Sequence, residues 1–162
     1  MTDLRLIVPG DAEATRRIYN TEVVGSTATF DLRPRSMDQH DRWVAAHLGA
    51  HPAVVAEVDG AIAGFAAISP YRSRPAYATT VEDSVYVDAR WRGMGIGRAL
   101  LGEVLRHATE HGFHTVLGRV EATNAASVGV HLRCGFEIVG TERQIGRKFG
   151  RWLDVTVLQK LL

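Results

Sequence analysis

The sequence predicts an α/β fold of three layers, with a mixed sheet between helices, and three observations predict it. A strand-like run, Val81-Glu82-Asp83-Ser84-Val85-Tyr86-Val87, leads into Arg92-Gly93-Met94-Gly95-Ile96-Gly97 and then into a helix whose Leu100, Leu101, Val104, Leu105 and Ala108 share one face. Asp59-Gly60 joins two apolar runs and is the strongest short hairpin signal in the chain. Taken together the elements run β-α-α-β-β-β-α-β-α-β-β, a succession that demands both crossovers and hairpins around one sheet.

In order, residues 4–8 read as an opening strand that Pro9-Gly10 breaks. Asp11 is placed to cap a helix carrying Ile18, Tyr19 and Val23. Residues 25–35 form a polar loop with one exposed-looking aromatic, Phe30. Ser36-Met37-Asp38-Gln39 has capping-box spacing and starts a second helix that runs to about residues 47–49. Residues 53–58 and 61–69 are the hairpin strands, and 70–76 a turn holding Arg72 and Arg74. The next strand ends at Val87, and His111-Gly112 closes the third helix with a glycine cap. Residues 115–121 are a strand, 124–134 a short helix, and 136–141 and 153–161 the last strands. Nothing repeats and no linker intervenes, so residues 1–162 read as one domain.

At 162 residues the chain can bury a core of its own. Its 46% hydrophobic and 23% charged residues are an ordinary soluble mix. A net charge of +1 supplies no strong field for nucleic acid or a membrane surface, and the longest apolar runs fall far short of a membrane span. The opening Met1-Thr2-Asp3-Leu4-Arg5 lacks a secretory layout, and a single cysteine fits a reducing compartment. A cytoplasmic protein is expected, with Cys134 serving as a small buried hydrophobe.

The glycine run carries the chemistry. Glycines at alternate positions leave backbone N–H groups uncovered and permit positive φ, and the helix that follows offers unsatisfied N–H groups and the positive end of its dipole. Such a turn holds a phosphate or pyrophosphate, with Arg92 and Arg98 beside it. It is no Walker loop, since neither lysine nor hydroxyl follows Gly97. Gly93, Gly95 and Gly97 give G-x-G-x-G rather than the dinucleotide fingerprint G-x-G-x-x-G, and Asp88-Ala89-Arg90-Trp91 separates them from the strand.

R-x-x-G-x-G a few residues after a strand ending in V-x-V resembles the acetyl-CoA loop of the GNAT N-acetyltransferases. The resemblance continues through Asn124-Ala125-Ala126-Ser127 and His131-Leu132-Arg133-Cys134-Gly135-Phe136. Within that family the chain is most similar to phosphinothricin and methionine sulfoximine/sulfone acetyltransferases, on Ser26-Thr27-Ala28-Thr29-Phe30, on residues 80–87 and on residues 146–155. The resemblance implies a partly splayed central sheet, acetyl-CoA as cosubstrate, a small amino-acid-like amine as acceptor and a homodimer. It implies that Arg92, Gly93, Met94, Gly95, Ile96, Gly97 and Arg98 hold the cofactor. Backbone amides around Val85, Tyr86 and Val87 would polarise the thioester, and Asn124 and Ser127 would border the cofactor arm. Asn124 reads equally as a plain helix N-cap, and both roles are compatible.

Acetyl transfer to an amine requires that an ammonium lose a proton, that a carbonyl be polarised and that a thiolate be protonated. Alternation puts Glu82, Ser84 and Tyr86 on one strand face, opposite Val81, Val85 and Val87. Glu82 is the candidate base, matching the base of the resembled subfamily; a strand-end carboxylate in solvent is the other reading. His131 stands where most GNAT enzymes place a tyrosine, and is either the group that protonates the thiolate or a satisfied helix histidine. Arg72 and Arg74 could fork onto a carboxylate or lie solvated on their turn. The resemblance assigns them to the substrate, with Phe30 and Tyr77 as apolar walls and Lys148 and Phe149 near a dimer interface; a surface hairpin is the alternative for the last two.

His107-Ala108-Thr109-Glu110-His111 is a literal H-x-x-E-H zinc pattern. Glu110 falls nearly opposite the apolar face, and Gly112 ends the helix at once, so no metal is expected there. His47 and His51 are dismissed likewise, because Pro52 ends their helix. The sequence thus predicts an acetyl-CoA-dependent N-acetyltransferase for a small amino-acid analogue, by direct attack. The alternatives are a GNAT enzyme for another amine and a non-catalytic acyl-CoA sensor.

Overall fold

The computed structural model describes residues 1–162. Seven strands form one mixed sheet: β1 (Thr2–Leu6), β2 (Ala53–Val58), β3 (Ala61–Pro70), β4 (Thr80–Val87), β5 (Thr115–Glu121), β6 (Glu137–Lys148) and β7 (Arg151–Leu161), in the spatial order β1-β2-β3-β4-β5-β7-β6. The helices are α1 (Ala12–Gly25), α2 (Met37–Ala46), α3 (Ile96–Glu110) and α4 (Ala125–Arg133). Each face of the sheet has its own apolar cluster. Ile18, Tyr19 and Val23 of α1 and Val44 of α2 pack on Val55, Phe65 and Ala67. Leu100, Leu101, Val104 and Ala108 of α3 pack on Val54, Ala66, Ile68, Val81 and Val116. The three layers follow directly from this period-2 partition of each strand.

The feature that positions the site is where pairing stops. Strands β4 and β5 are the only parallel neighbours, and they pair only over Thr80↔Thr115, Val81↔Val116 and Glu82↔Leu117. Beyond Glu82 the strands part, while β4 stays paired with β3 as far as Val87↔Gly64. Asp88 N–H donates to Ala63 O on the β3 side (2.9 Å), and Thr79 O accepts from Thr115 on the β5 side. Alternation therefore turns the amides of Val85 and Val87 toward the gap and that of Tyr86 toward β3.

Several boundaries depart from the sequence reading. The opening strand is Thr2–Leu6 rather than 4–8, because Val8 N–H is claimed by Asp11 Oδ2 at 2.9 Å in the turn before α1. Asp11 makes no side-chain cap to α1; its carboxylate takes both guanidinium nitrogens of Arg5 at 2.8 Å and is held below its ordinary range, the Arg5 and Val8 bonds outweighing burial. Ser36 caps α2 through the reciprocal bonds its spacing predicts, with Gln39 N–H donating at 3.2 Å and Ser36 N–H at 2.9 Å. Strand β6 runs to Lys148, seven residues past the expected end at 141, with shifts of register at Ile138/Gly140 and Glu142/Gly146. No helix is long and apolar enough to cross a membrane.

Candidate active site

A cleft of about 870 Å³ opens from the gap between β4 and β5 across the N-terminus of α3. Gly93 and Gly95 adopt φ of 79° and 82°, which side chains rarely tolerate, and a Cβ at either would meet nothing within 4 Å, so their amides lie open. Gly97 has no such demand, being already helical and facing Val85 and Val87 at ordinary contact distance. Gly95 is the N-cap of α3 with no side-chain cap, so the first amides of the helix remain available. Val85, Tyr86, Val87, Arg92, Ile96, Arg98, Asn124 and Ser127 line the same cleft; Met94 points outward at 65% exposure. Arg92 is not a free charge: its guanidinium donates to Val87 O (3.0 Å) and pairs with Glu22 at the end of α1. Asn124 caps α4 by accepting from Ser127 N–H (3.1 Å).

A second cavity of about 300 Å³ adjoins the first, with Val85, Tyr86, Asn124, Ser127 and His131 shared between them. Glu82 lines it from β4, half-buried, together with Ser84, Arg119 and Phe30. Burial pushes the Glu82 carboxyl above its ordinary value, with Asp83 and Glu142 adding to the rise and Arg119 and Arg72 opposing it. Arg119 is fixed by a two-pronged ion pair to Glu142 at 2.5 and 2.8 Å. His131 enters from the opposite face of the sheet, with Nδ1 2.8 Å from Ser127 O and Nε2 2.9 Å from Asp83 Oδ2.

An anion cradle before α3, a sheet that splits beside it and a titratable carboxylate at the split are the parts needed to present a thioester to an amine. The family profile described as Acetyltransferase (GNAT) family matches residues 15–136. The chain belongs to the GNAT acetyltransferases. It is 36% identical over 157 residues to an L-methionine sulfoximine/L-methionine sulfone acetyltransferase of Salmonella typhimurium, covering 96% of this chain and 92% of that one. It is 35% identical to a phosphinothricin N-acetyltransferase of Streptomyces coelicolor, covering 96% and 93%. A GNAT phosphinothricin acetyltransferase of Sinorhizobium meliloti, solved in complex with acetyl-CoA, superposes with a TM-score of 0.95 at 35% identity over 99% of this chain and 88% of that one. This GNAT enzyme accordingly takes its acetyl group from acetyl-CoA, and the open amides of the Gly93–Gly95 turn and of the β4 gap suit the pyrophosphate and the pantetheine arm.

The residues expected from the sequence at the acceptor fall into two groups. Phe30 lies with its ring over Gly146 of β6, at the second cavity. Lys148 is buried, and its ammonium, lowered by that burial against the pull of Asp31 and Glu22, donates to Thr29 O at 2.8 Å and so ties the β6–β7 hairpin to the loop carrying Phe30. Phe149 lies at the hairpin turn, 56% exposed with φ of 51°. Arg72, Arg74 and Tyr77 sit together between β3 and β4, outside the residues that line either cavity, with Arg72 stacked 4.8 Å from Tyr71 and 5.9 Å from Tyr77. In the zinc-like pattern, His107 lies beside Glu103 and Glu110 (3.5 and 3.6 Å) while His111 bonds back to His107 O, an outer-helix charge cluster.

Sequence reasoning missed Asp83, Arg119 and Glu121. Glu121, buried at the end of β5, lines both cavities and accepts from Thr27 Oγ1 (3.2 Å) and Thr123 Oγ1 (2.5 Å), tying the loop after α1 to the far end of β5. The alternation of Arg119 and Glu121 on a short strand with little solvent was the available signal, as was an aspartate among the valines of β4.

Proposed function

We propose that this enzyme acetylates the α-amine of a small amino-acid analogue of the phosphinothricin, methionine sulfoximine or methionine sulfone type, by direct attack with Glu82 as general base. The observation that carries the reading is the position of Glu82: half-buried, ordinary in sequence yet raised by burial, at the last paired residue before the strands part. A base poised upward is a better proton acceptor near neutrality than a free carboxylate. Glu82 removes a proton from the ammonium, directly or through a water. The amine then attacks the thioester carbonyl, polarised by the outward amides of Val85 and Val87, and His131 supplies the proton to the leaving thiolate. The relatives' named acceptors support the substrate class.

Arg72 and Arg74 receive the acceptor's carboxylate and its second polar group, and the field of Arg72 already reaches Glu82. Phe30 forms an apolar wall of the acceptor cavity and Tyr77 bounds the acceptor from the β3–β4 connection outside it, and Lys148 and Phe149 complete the site beside a homodimer interface. The exposed Ile145, Phe149 and Trp152 of the β6–β7 hairpin favour that face for the second copy. A thiol-release assay over a panel of amino-acid analogues, polyamines and peptide amines tests the reading. Preference for the sulfoximine, sulfone or phosphinate compounds, with KM raised at least roughly tenfold in Arg72→Ala and Arg74→Ala, is expected from the loss of a charge-assisted contact. Turnover confined to another amine would replace the substrate class. Acetyl-CoA binding without turnover of any amine would make the chain a sensor.

A further inference from the structure

Asp83 and His131 lie 48 positions apart, on different elements, and both are withdrawn from solvent, with side chains 0% and 4% exposed. The hydrogen bonds of the imidazole fix its protons. Ser127 O can only accept, so Nδ1 carries a hydrogen. Nε2 faces Asp83 Oδ2, which as a carboxylate also only accepts. A neutral imidazole has one N–H, so the arrangement closes only when one further proton is held between Nε2 and Oδ2.

We propose that Asp83 is a positioning residue for the leaving-group half of the reaction: it fixes His131 in one orientation as a double hydrogen-bond donor and holds the Nε2 proton that passes to the departing thiolate. The proposal rests on the acetyl-transfer reading above. Three further observations support it. His131 borders both cavities and Asp83 the acceptor cavity, so the pair stands at their junction. Gly118 of β5 makes the fit possible: a Cβ there would lie 2.7 Å from His131 Cδ2, 2.9 Å from Nε2 and 3.1 Å from Asp83 Oδ1. The remaining carboxylate oxygen, Asp83 Oδ1, has no hydrogen-bond partner, so the carboxylate is committed to His131 and to nothing else in the protein.

The surroundings leave Asp83 in control of the imidazole charge. Phe136 packs edge-on at 5.0 Å, Gly118 offers only backbone, and the nearby Cys134 thiol is pushed up by burial and stays protonated. Burial by itself would lower His131, but the bond to Asp83 and its charge overcome this and hold the imidazole above its ordinary value, with Ser127 O adding to the rise. Removing either partner would leave a buried charge without its counterpart.

The protons balance. The C–S bond breaks with its electron pair on sulfur, which takes the Nε2 proton as Oδ2 releases it. The substrate nitrogen loses two protons on going from ammonium to amide, through Glu82 to solvent. His131 regains one from solvent when the thiol leaves, so each turnover releases one proton net.

The test combines ¹⁵N NMR of histidine-labelled protein, with His131 assigned by its loss in His131→Gln, and steady-state kinetics of Asp83→Asn. In the unaltered enzyme at about pH 7.5, above the ordinary imidazole value, both ring nitrogens of His131 should show protonated shifts. In Asp83→Asn the new side-chain amide should donate to Nε2, converting the ring to a neutral acceptor. That change should lower kcat about 100-fold, the range of a lost general acid, with KM for acetyl-CoA within about twofold, since this carboxylate lies off the cofactor cradle. An unprotonated Nε2 in the unaltered enzyme overturns the proposal. So does an Asp83→Asn enzyme with an altered ring and undiminished kcat, or with lost kcat and an unaltered ring. An unaltered enzyme that acetylates no amine overturns the acetyl-transfer reading instead, and the ring signature, which needs no turnover, tells the two failures apart.

Discussion

Glu82 and Asp83 are adjacent carboxylates of one strand, and they live in different chemical environments. Glu82 faces the α1/α2 side, half-buried over an open cavity, with the charges of Arg119 and Arg72 near it and no hydrogen bond contributing to its shift. Asp83 faces the α3/α4 side beneath Gly118, fully enclosed and bound to His131. A carboxylate that reaches solvent can gain and lose a proton in each cycle. One that is enclosed with a cation instead fixes the state of its partner. On the proposed roles, the pleat of β4, by turning consecutive residues to opposite faces, would let one dipeptide serve the base and the acid halves of a single transfer.

Glu82→Gln should lower kcat about 10²–10⁴-fold, the span of general-base contributions, while calorimetric affinity for acetyl-CoA is preserved; turnover close to that of the parent would remove Glu82 from the chemistry. Gly118→Ala drives a methyl into the His131 ring, and overpacking of this kind costs about 1–3 kcal/mol. Thermal unfolding should register that loss alongside a fall in kcat, and an unaffected Tm and kcat would mean that the Asp83 side is not closely fitted. Arg119→Met should have the mildest effect. It removes a cation that lowers Glu82 and frees Glu142, which raises it. Since the base works only when ionised, the acidic limb of kcat should move to higher pH with the plateau retained, and a limb that moved down or stayed in place would contradict the electrostatic coupling.

How far this was legible in the sequence differs between the two halves. The donor half is made of main chain within one contiguous segment, so Gly93, Gly95 and the unsatisfied start of α3 were readable as an anion cradle. The capping box at Ser36 and the Asp59-Gly60 hairpin were legible for the same local reason. The acceptor half is made of side chains that meet only after folding. Alternation along β4 makes Glu82 legible; Asp83 is masked by the valines that share its face, although a lone aspartate there has to find a partner. The partner, His131, is visible in the sequence without a defined role, and only the 2.9 Å contact across 48 positions joins the two. The full length of β6 was illegible because two changes of register and an exposed, charge-rich stretch erase its alternation.

The division of labour between the neighbours is tested most directly by the pH profile of kcat for the parent enzyme and for Asp83→Asn. On the proposed roles, Glu82 raised by burial should set the acidic limb and His131 raised by Asp83 the alkaline limb, because the imidazolium must still hold its proton. The variant should lose activity at lower pH on the alkaline side, and its acidic limb should move to lower pH, because the Asp83 charge that adds to the rise of Glu82 is gone. A profile scaled down uniformly, with both limbs unmoved, would contradict the account.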